Sequence, residues 1–252
     1  YCSLVRALYH SPDSVPYHNY FHALCVAQLA YLLLRDAKLL HEVRPIEFLA
    51  VILGSLGHDA GHRGFTNQFE VSTKSDLALR YNDLSVLENH HASISWGSIV
   101  SAGVAVVPPK ISPTLDRFRL LFVSGIINTD MKFHGEHIQK AHHVVKYCQD
   151  RDAKVGDEDI YAPDEDEDDD TTQDVCELFL HLADIGNMVT PLKQSVRWKK
   201  IVLAEFESQA IAETKLGLPI SMFPDGLDTP IKRARTQVGF LNYVVMPLFN
   251  VL

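Results

Sequence analysis

Apolar residues recur at helical spacing along almost the whole chain, and the alternation typical of β-strands is hard to find. The clearest apolar stretches lie at residues 24–34, 46–56, 115–127, 175–182, 196–211 and 238–249. Glycine and proline cluster between them, near residues 12–16, 54–64, 103–113 and 217–230. The pattern contains no internal repeat and no second composition regime. It therefore predicts one all-α domain over residues 1–252, a compact multi-helix bundle.

Composition adds one feature to this picture, a strongly acidic stretch. The chain has 252 residues and a formal net charge of -9, but residues 150–174 hold 13 acidic and 2 basic residues. The rest of the chain is therefore nearly neutral, and the acidic stretch is predicted to be a solvated, flexible loop. No basic stripe with interleaved aromatic residues occurs, so we expect no nucleic acid polymer as a partner.

The cysteines and the hydropathy pattern indicate the environment of the chain. Its four cysteines, at positions 2, 25, 148 and 176, include no CxxC pair and are predicted to be reduced core residues. No apolar run reaches the roughly 18 residues that cross a bilayer, and no signal peptide opens the chain. We therefore expect a cytoplasmic domain without membrane insertion, although regions outside this chain could attach it to a membrane. The ends look cut, which predicts a domain that is incomplete at both.

Two histidines near the start of the chain are the first candidate functional residues. His18 and His22 are four residues apart, and a helix beginning near Tyr17 would place them on one face with Cβ atoms about 5–6 Å apart. A lone histidine beside an apolar run is more often a hydrogen-bonded core residue than a metal ligand. The chain has 13 histidines, however, and many of them lie beside Asp, Asn or Glu, the neighbours that orient metal-bound imidazoles.

Further donors follow two of the predicted helices. His58 and Asp59 come after the apolar run 46–56, and Asp184 ends the run that begins at residue 175. Mixed nitrogen and oxygen donors suit Zn²⁺ and leave room for a harder second metal. The set predicts a deep, metal-containing pocket for metal-assisted hydrolysis of a phosphoester.

Five ordered motifs carry a family resemblance: YHNYFH, GHDAGHRGFTN, YNDLSVLENHHA, HLADIGN and TQVGF. Their order and spacing resemble the catalytic domain of class I 3′,5′-cyclic nucleotide phosphodiesterases, from Tyr17 to Leu252. The wider pattern of His, His-Asp and Asp resembles the HD superfamily of metal-dependent phosphohydrolases. The resemblance implies hydrolysis of cAMP, cGMP or both to 5′-nucleoside monophosphates, which terminates cyclic nucleotide signalling.

The resemblance also implies the roles of the metal donors. His22, His58, Asp59 and Asp184 would hold a tightly bound Zn²⁺, and Asp59 would bridge to Mg²⁺ or Mn²⁺. The two ions would share a hydroxide that attacks phosphorus while the 3′-oxygen leaves. Four further residues would anchor metal-bound waters: His62, Asn67, His91 and Thr129.

By the same resemblance, His18 is the general acid that protonates the leaving oxygen. Glu88 matches the carboxylate that hydrogen-bonds this histidine and raises its pKa. Without the motif, Glu88 and Asn67 would be ordinary surface or capping residues.

Recognition of the purine base is assigned to the C-terminal part. Gln237 matches the glutamine that reads the base edge, Phe240 the aromatic residue that stacks on the ring, and Val202 the apolar residue opposite. Asn187 is a further pocket candidate, and it is followed by Met188 where the family usually has proline. From periodicity alone, Phe240 and Val202 would be core residues.

Several alternatives stay open. The chain could be another HD-type phosphohydrolase, or a non-catalytic sensor of cyclic nucleotides. The choice between cAMP and cGMP is open because a glutamine amide can rotate to satisfy either purine edge. A small-molecule cyclic nucleotide is the expected partner, and attached regulatory domains or a homodimer are compatible with the sequence.

Overall fold

The computed structural model describes residues 1–40, 43–103, 113–154, 169–223 and 226–251. The structure is 75% helical, and the described residues contain no strand, which confirms the all-α prediction. The helices are α1 Cys2–Leu8, α2 Tyr20–Asp36, α3 Pro45–Gly57, α4 Asn67–Ser72, α5 Asp76–Arg80, α6 Val86–Ser101, α7 Pro113–Ile127, α8 His134–Lys154, α9 Asp169–Ile185, α10 Leu192–Leu216, α11 Pro230–Phe240 and α12 Met246–Phe249. Short 3₁₀ turns cover Met131–Phe133 and Gly186–Val189, and a π-turn covers Leu241–Val245.

The main core lies where α2, α3, α7 and α9 pack together. Two glycines allow the close approach of these helices, because a Cβ atom added at Gly54 or at Gly125 would lie 3.3 Å from Cδ1 of Leu180. Such a distance is tight for a core that is packed as densely as an organic crystal. The ends of α3 and α9, which carry candidate metal donors, are therefore fixed by the packing of the core.

Helix α2 begins later than the sequence predicts. Asn19 is its N-cap, and the Asn19 side chain accepts a hydrogen bond from the backbone of Phe21 at 3.0 Å. The same amide donates to the carbonyls of Val15 and Pro16, which fixes the preceding turn. Asn is among the strongest N-cap residues, so His18 lies before the helix. The prediction that His18 shares a helix face with its neighbour four residues later is wrong.

The predicted breaks between helices are mostly found. Residues 12–16, 217–223 and 226–229 are not helical, and Gly217 ends α10 with a left-handed φ of 68°. Helix α3 instead continues through Gly54 and ends at Gly57, because its last turn is buried in the core. Residues 104–112 lie outside the described residues.

Both ends of the predicted acidic loop are helical in the structure. Residues 155–168 lie outside the described residues, but α8 extends to Lys154 and α9 starts at Asp169. The predicted loop is therefore wrong for 150–154 and 169–174. Packing explains the second correction, since the side chain of Thr171 is buried and Asp174 pairs with Lys140 at 3.2 Å.

The cysteines are all free thiols, and their burial differs from one to the next. Cys176 is buried, those at positions 25 and 148 are half-buried, and Cys2 is exposed. The prediction of a core position is therefore wrong for Cys2. None of the helices in the described ranges is both long and apolar enough to cross a membrane.

Candidate active site

Four predicted metal donors converge at one point. Nε2 of His22 lies 2.9 Å from Oδ1 of Asp184 and 3.5 Å from Oδ2 of Asp59. Nε2 of His58 lies 3.1 Å from Oδ2 of Asp59 and 3.3 Å from Oδ1 of Asp184. Ligand atoms about 2.1 Å from a shared ion are about 3.0 to 3.4 Å apart. The first turn of α2 and the ends of α3 and α9 thus supply a donor set with the spacing of one metal site.

The hydrogen bonds of His58 leave its metal-facing nitrogen free. Its Nδ1–H donates to the carbonyl of Ser55 at 2.8 Å, so in the deprotonated form that binds metal the ring carries its lone pair on Nε2. Neither Nε2 nor Oδ2 of Asp59 has a hydrogen-bond partner in the described structure, although both atoms are buried. Buried polar atoms are normally satisfied, and a metal ion would satisfy both. The donor set therefore fits a divalent cation.

Asn187 has a different role from the predicted one. It does not line the cavity, and its fully buried side chain contacts Nδ1 of His22 at 2.8 Å. A half-turn of the amide presents its oxygen, which is otherwise buried without a partner, to an Nδ1–H on His22. That arrangement leaves a lone pair on Nε2 for a metal. The pocket assignment of Asn187 is corrected to orientation of a metal donor.

Both acidic donors are ionised. Burial raises the pKa of Asp184, but the rings of His58 and His22 outweigh burial and hold it well below the usual range. Asp59 behaves in the same way, since burial is outweighed by the charges of His58 and His18. Metals bind carboxylates in the deprotonated form, so the site is ready for a cation at neutral pH.

His18 faces a carboxylate that the sequence did not identify. Its Nδ1 hydrogen-bonds Oε1 of Glu205, and Oε2 of Glu205 accepts from the backbone N–H groups of His18 at 3.2 Å and Tyr17 at 2.9 Å. Burial lowers the pKa of His18, but the negative charges of Glu205, Asp59 and Asp184 outweigh it and raise the pKa to about 9. His18 is therefore protonated at neutral pH.

Glu88 was predicted to hold His18, and that prediction is wrong. Its two carboxylate oxygens accept from the side-chain amide of Asn67 at 3.1 and 2.9 Å. Burial and the charge of Asp130 raise the pKa of Glu88 to about 7. The three residues Glu88, Asn67 and Asp130 line the same cavity as His18, so Glu88 stays in the site and loses only its assigned partner.

Two more histidines surround Asp59 on its other side. Nδ1 of His91 donates to the carbonyl of Ala60 at 2.6 Å, and its Nε2 lies 4.0 Å from Oδ1 of Asp59. His62 stacks on the His18 ring with centroids 4.0 Å apart. Asp59, His62 and His91 form a second group that could hold a metal. The predicted residue Thr129 also lines the cavity.

One cavity of about 790 Å³ is lined by most of these residues, among them His18, Asp59, His62, Glu88, His91 and Asp184. His22, His58 and Glu205 do not line it. Its lining also includes apolar and aromatic side chains together with one amide: Val202, Phe206, Met222, Phe223, Gln237, Phe240 and Tyr243. Nε2 of Gln237 contacts the sulfur of Met188 at 3.2 Å. Three of the four predicted base-binding residues, Val202, Gln237 and Phe240, therefore line the same cavity as His18 and two of the metal donors. A cavity of this size, with both polar and apolar lining, matches a small-molecule site.

Glu205 is not among the predicted site residues, although the spacing of polar residues on α10 contains a signal for it. Glu205, Gln209 and Glu213 are spaced four residues apart on α10, and all three are buried. Charged residues are rarely buried unless they are paired. A polar stripe on the inward face of a helix therefore indicates partners on the opposite wall.

A profile of the family described as "3'5'-cyclic nucleotide phosphodiesterase" matches residues 17–252. The chain is 30% identical to the "High affinity cGMP-specific 3',5'-cyclic phosphodiesterase 9A" of Drosophila melanogaster over 97% of this chain and 15% of that protein. It is 32% identical to the "Dual specificity calcium/calmodulin-dependent 3',5'-cyclic nucleotide phosphodiesterase 1B" of Bos taurus over 94% of this chain and 40% of that protein. The chain thus spans less than half the length of these curated relatives.

A solved structure agrees with the sequence matches. The phosphodiesterase domain of the RhoPDE fusion protein from the choanoflagellate Salpingoeca rosetta superposes with a TM-score of 0.83 and 32% identity. The match covers 98% of this chain and 73% of that chain. The donor set, the fold and the profile agree, and the chain belongs to the 3′,5′-cyclic nucleotide phosphodiesterase family.

Proposed function

We propose that this chain hydrolyses 3′,5′-cyclic nucleotides, cAMP, cGMP or both, to 5′-nucleoside monophosphates. The observation that carries the proposal is the convergence of four metal donors, three of them buried, beside the protonated His18–Glu205 pair. A sensor that only binds the nucleotide needs no proton donor, so this pair favours an enzyme. Relatives named for cGMP and for cAMP both match the chain, which supports either substrate.

We assign Zn²⁺ to His22, His58, Asp59 and Asp184, because imidazole and carboxylate donors suit this ion. Mg²⁺ or Mn²⁺ is assigned to the far side of Asp59, where His62, His91, Thr129, Asn67 and Glu88 would hold its waters. When bound, the ions act as Lewis acids toward the phosphate and lower the pKa of bound water.

His18 supplies the proton that the reaction requires. Attack of the water oxygen on phosphorus forms one P–O bond and breaks the bond to O3′, which leaves with negative charge; the attacking water releases one proton to solvent. Nε2–H of His18 donates its proton to O3′, since Nδ1 is held by Glu205. The carboxylate of Glu205 thereby orients the ring and stabilises its charge, while Asn187 orients His22.

Base recognition is assigned to the apolar part of the cavity lining. Gln237 would hydrogen-bond the purine edge, while Phe240 and Val202 would contact opposite faces of the ring. All three side chains line the cavity that Asp59 and Asp184 also line, so a nucleotide whose phosphate lies at these donors would have its base within the same cavity.

The test is hydrolysis of cAMP and of cGMP, assayed separately with Mg²⁺ and after chelation. We expect metal-dependent release of the 5′-monophosphate from at least one of them. A folded, zinc-loaded protein that binds cyclic nucleotide without turnover would instead establish the sensor. Turnover of another phosphoester alone would establish a different HD-type phosphohydrolase.

A further inference from the structure

A buried polar cluster lies behind one wall of the cavity and touches none of the residues assigned to the chemistry. Its centre is formed by Gln209 and Glu213 on α10, whose side chains are 1% and 2% exposed. Burying an amide and a carboxylate is costly unless both are hydrogen-bonded. We therefore expect the hydrogen-bond partners of these two residues to indicate their role.

Glu213 holds the segment that follows α10. Its Oε2 accepts from the backbone N–H of Ser221 at 3.0 Å, and its Oε1 accepts from the Ser221 hydroxyl. Burial raises the pKa of Glu213, but the hydrogen bonds from Ser221 and Gln209 outweigh it and lower the pKa below the usual range. An ionised carboxylate makes hydrogen bonds roughly twice as strong as neutral ones.

Gln209 ties this segment to the residue that precedes α4. Its Oε1 accepts from the backbone N–H of Thr66 at 2.9 Å, and its Nε2 lies 3.0 Å from the Thr66 hydroxyl and 2.9 Å from that of Ser221. Thr66 caps α4, whose first residue Asn67 contacts Glu88. One amide thus joins two segments that line the cavity, the turn at Thr66 and the segment of Met222 and Phe223.

The segment so held includes a strained residue of the cavity wall. Phe223 follows Ser221 by two residues, lines the cavity, and has a φ of 54°. A bulky residue at positive φ is an outlier that persists only where its surroundings enforce it. Its ring packs on Phe206 of α10 with centroids 5.6 Å apart. The backbone at Phe223 is fixed on both sides, since its carbonyl accepts from the N–H of Gly226 at 2.7 Å and Ser221, two residues earlier, is bonded to Glu213.

We propose that Glu213 and Gln209 are positioning residues that hold Phe223 as a wall of the nucleotide cavity and thereby set substrate affinity. The inference rests on the proposed function, because it names the ligand as a cyclic nucleotide. Neither residue lines the cavity, so both act through the Phe223 ring. That ring lines the cavity and packs on Phe206 of α10. The chemistry at His18 is unaffected by them.

The experiment compares Glu213→Gln and the milder Ser221→Ala with Thr214→Ala. Thr214 is the matched control, since it is the exposed neighbour of Glu213 and its hydroxyl bonds only the carbonyl of Ala210 within α10. We expect Glu213→Gln to raise KM about fivefold to tenfold, the loss of one buried hydrogen bond, with kcat changed less than about twofold. Thr214→Ala should leave both parameters unchanged.

A second comparison separates positioning from a general loss of structure. In a chain that carries Phe223→Ala, adding Glu213→Gln should raise KM less than about twofold, because the ring it positions is gone. A full KM effect in that background, or a loss of kcat at unchanged KM, would overturn the proposal. Calorimetric Kd values for AMP and GMP give the same comparison without turnover. They therefore test the positioning role even if the wild-type chain proves inactive.

Discussion

Helices α9 and α10 border the same cavity and use opposite means to position its residues. Helix α9 buries mainly apolar side chains in the core and ends with the metal donor Asp184. Helix α10 buries one leucine and a stripe of polar residues, Glu205, Gln209 and Glu213. Core packing thus positions the metal donors, whereas hydrogen bonds position the proton donor His18 and the segment that carries Phe223.

The two helices differ in whether their buried side chains have specific partners. Apolar burial stabilises a helix without prescribing partners, so α9 fixes where its end lies and little else. The polar residues of the α10 stripe have specific partners: Glu205 bonds His18, Gln209 bonds Thr66 and Ser221, and Glu213 bonds Ser221. Changes at the end of α9 should therefore abolish metal binding, and changes along α10 should alter single kinetic properties.

The largest effect is expected at Asp184. Asp184→Ala removes one of four donors and leaves the rings of His22 and His58 with Asp59 but without their second carboxylate, so bound zinc should be lost. Turnover should fall by more than about a thousandfold, since several kcal/mol of metal stabilisation disappear. Zinc content by mass spectrometry and initial rates measure both effects, with circular dichroism as the folding control. Retained zinc and activity would contradict the site.

A smaller effect is expected at His18. His18→Ala should keep zinc, because His18 is not one of the four converging donors, and should lower kcat about 10²- to 10⁴-fold by removal of the general acid. The same two assays apply. Loss of zinc from this variant would make His18 a ligand and remove the distinction between the two helices.

The pH profile isolates the contribution of Glu205. Because Glu205 contributes to raising the pKa of His18 to about 9, the protonated acid persists below that pH and activity should fall as pH rises through it. Glu205→Gln removes the charge, so the alkaline limb of kcat/KM should move toward the ordinary histidine value of about 6.5. An unchanged alkaline limb would show that Glu205 does not set the charge of His18.

The smallest effect concerns Phe223. At a φ of 54°, glycine avoids the strain that alanine retains, so Phe223→Gly should be more stable than Phe223→Ala by about 1 kcal/mol. Urea unfolding of the two variants measures the difference. The usual order, alanine above glycine, would mean that the backbone relaxes at this position in solution.

The two helices also mark what the sequence could and could not predict. The helical periodicity of apolar residues predicts α3 and α9, and the metal donors at the ends of these helices converge as predicted. The periodicity of apolar residues does not reveal partners across the cavity, and the pairing of Glu88 with His18 rests on the family resemblance, whereas the structure pairs His18 with Glu205. The predicted start of α2 is too early because the side chain of Asn19 caps the helix. The position of Asn187 behind His22 depends on tertiary packing that no local pattern contains.

The central claim is that His22, His58, Asp59 and Asp184 hold the metal while His18 and Glu205 form a separate proton-donating pair. His18, His62 and Glu205 are also close enough to bind an ion, so the two arrangements compete. A crystal structure of the zinc-loaded protein, with anomalous data at the zinc edge, distinguishes them. We predict a peak about 2.0–2.2 Å from His22 and His58. A peak between His18 and Glu205 would contradict the account.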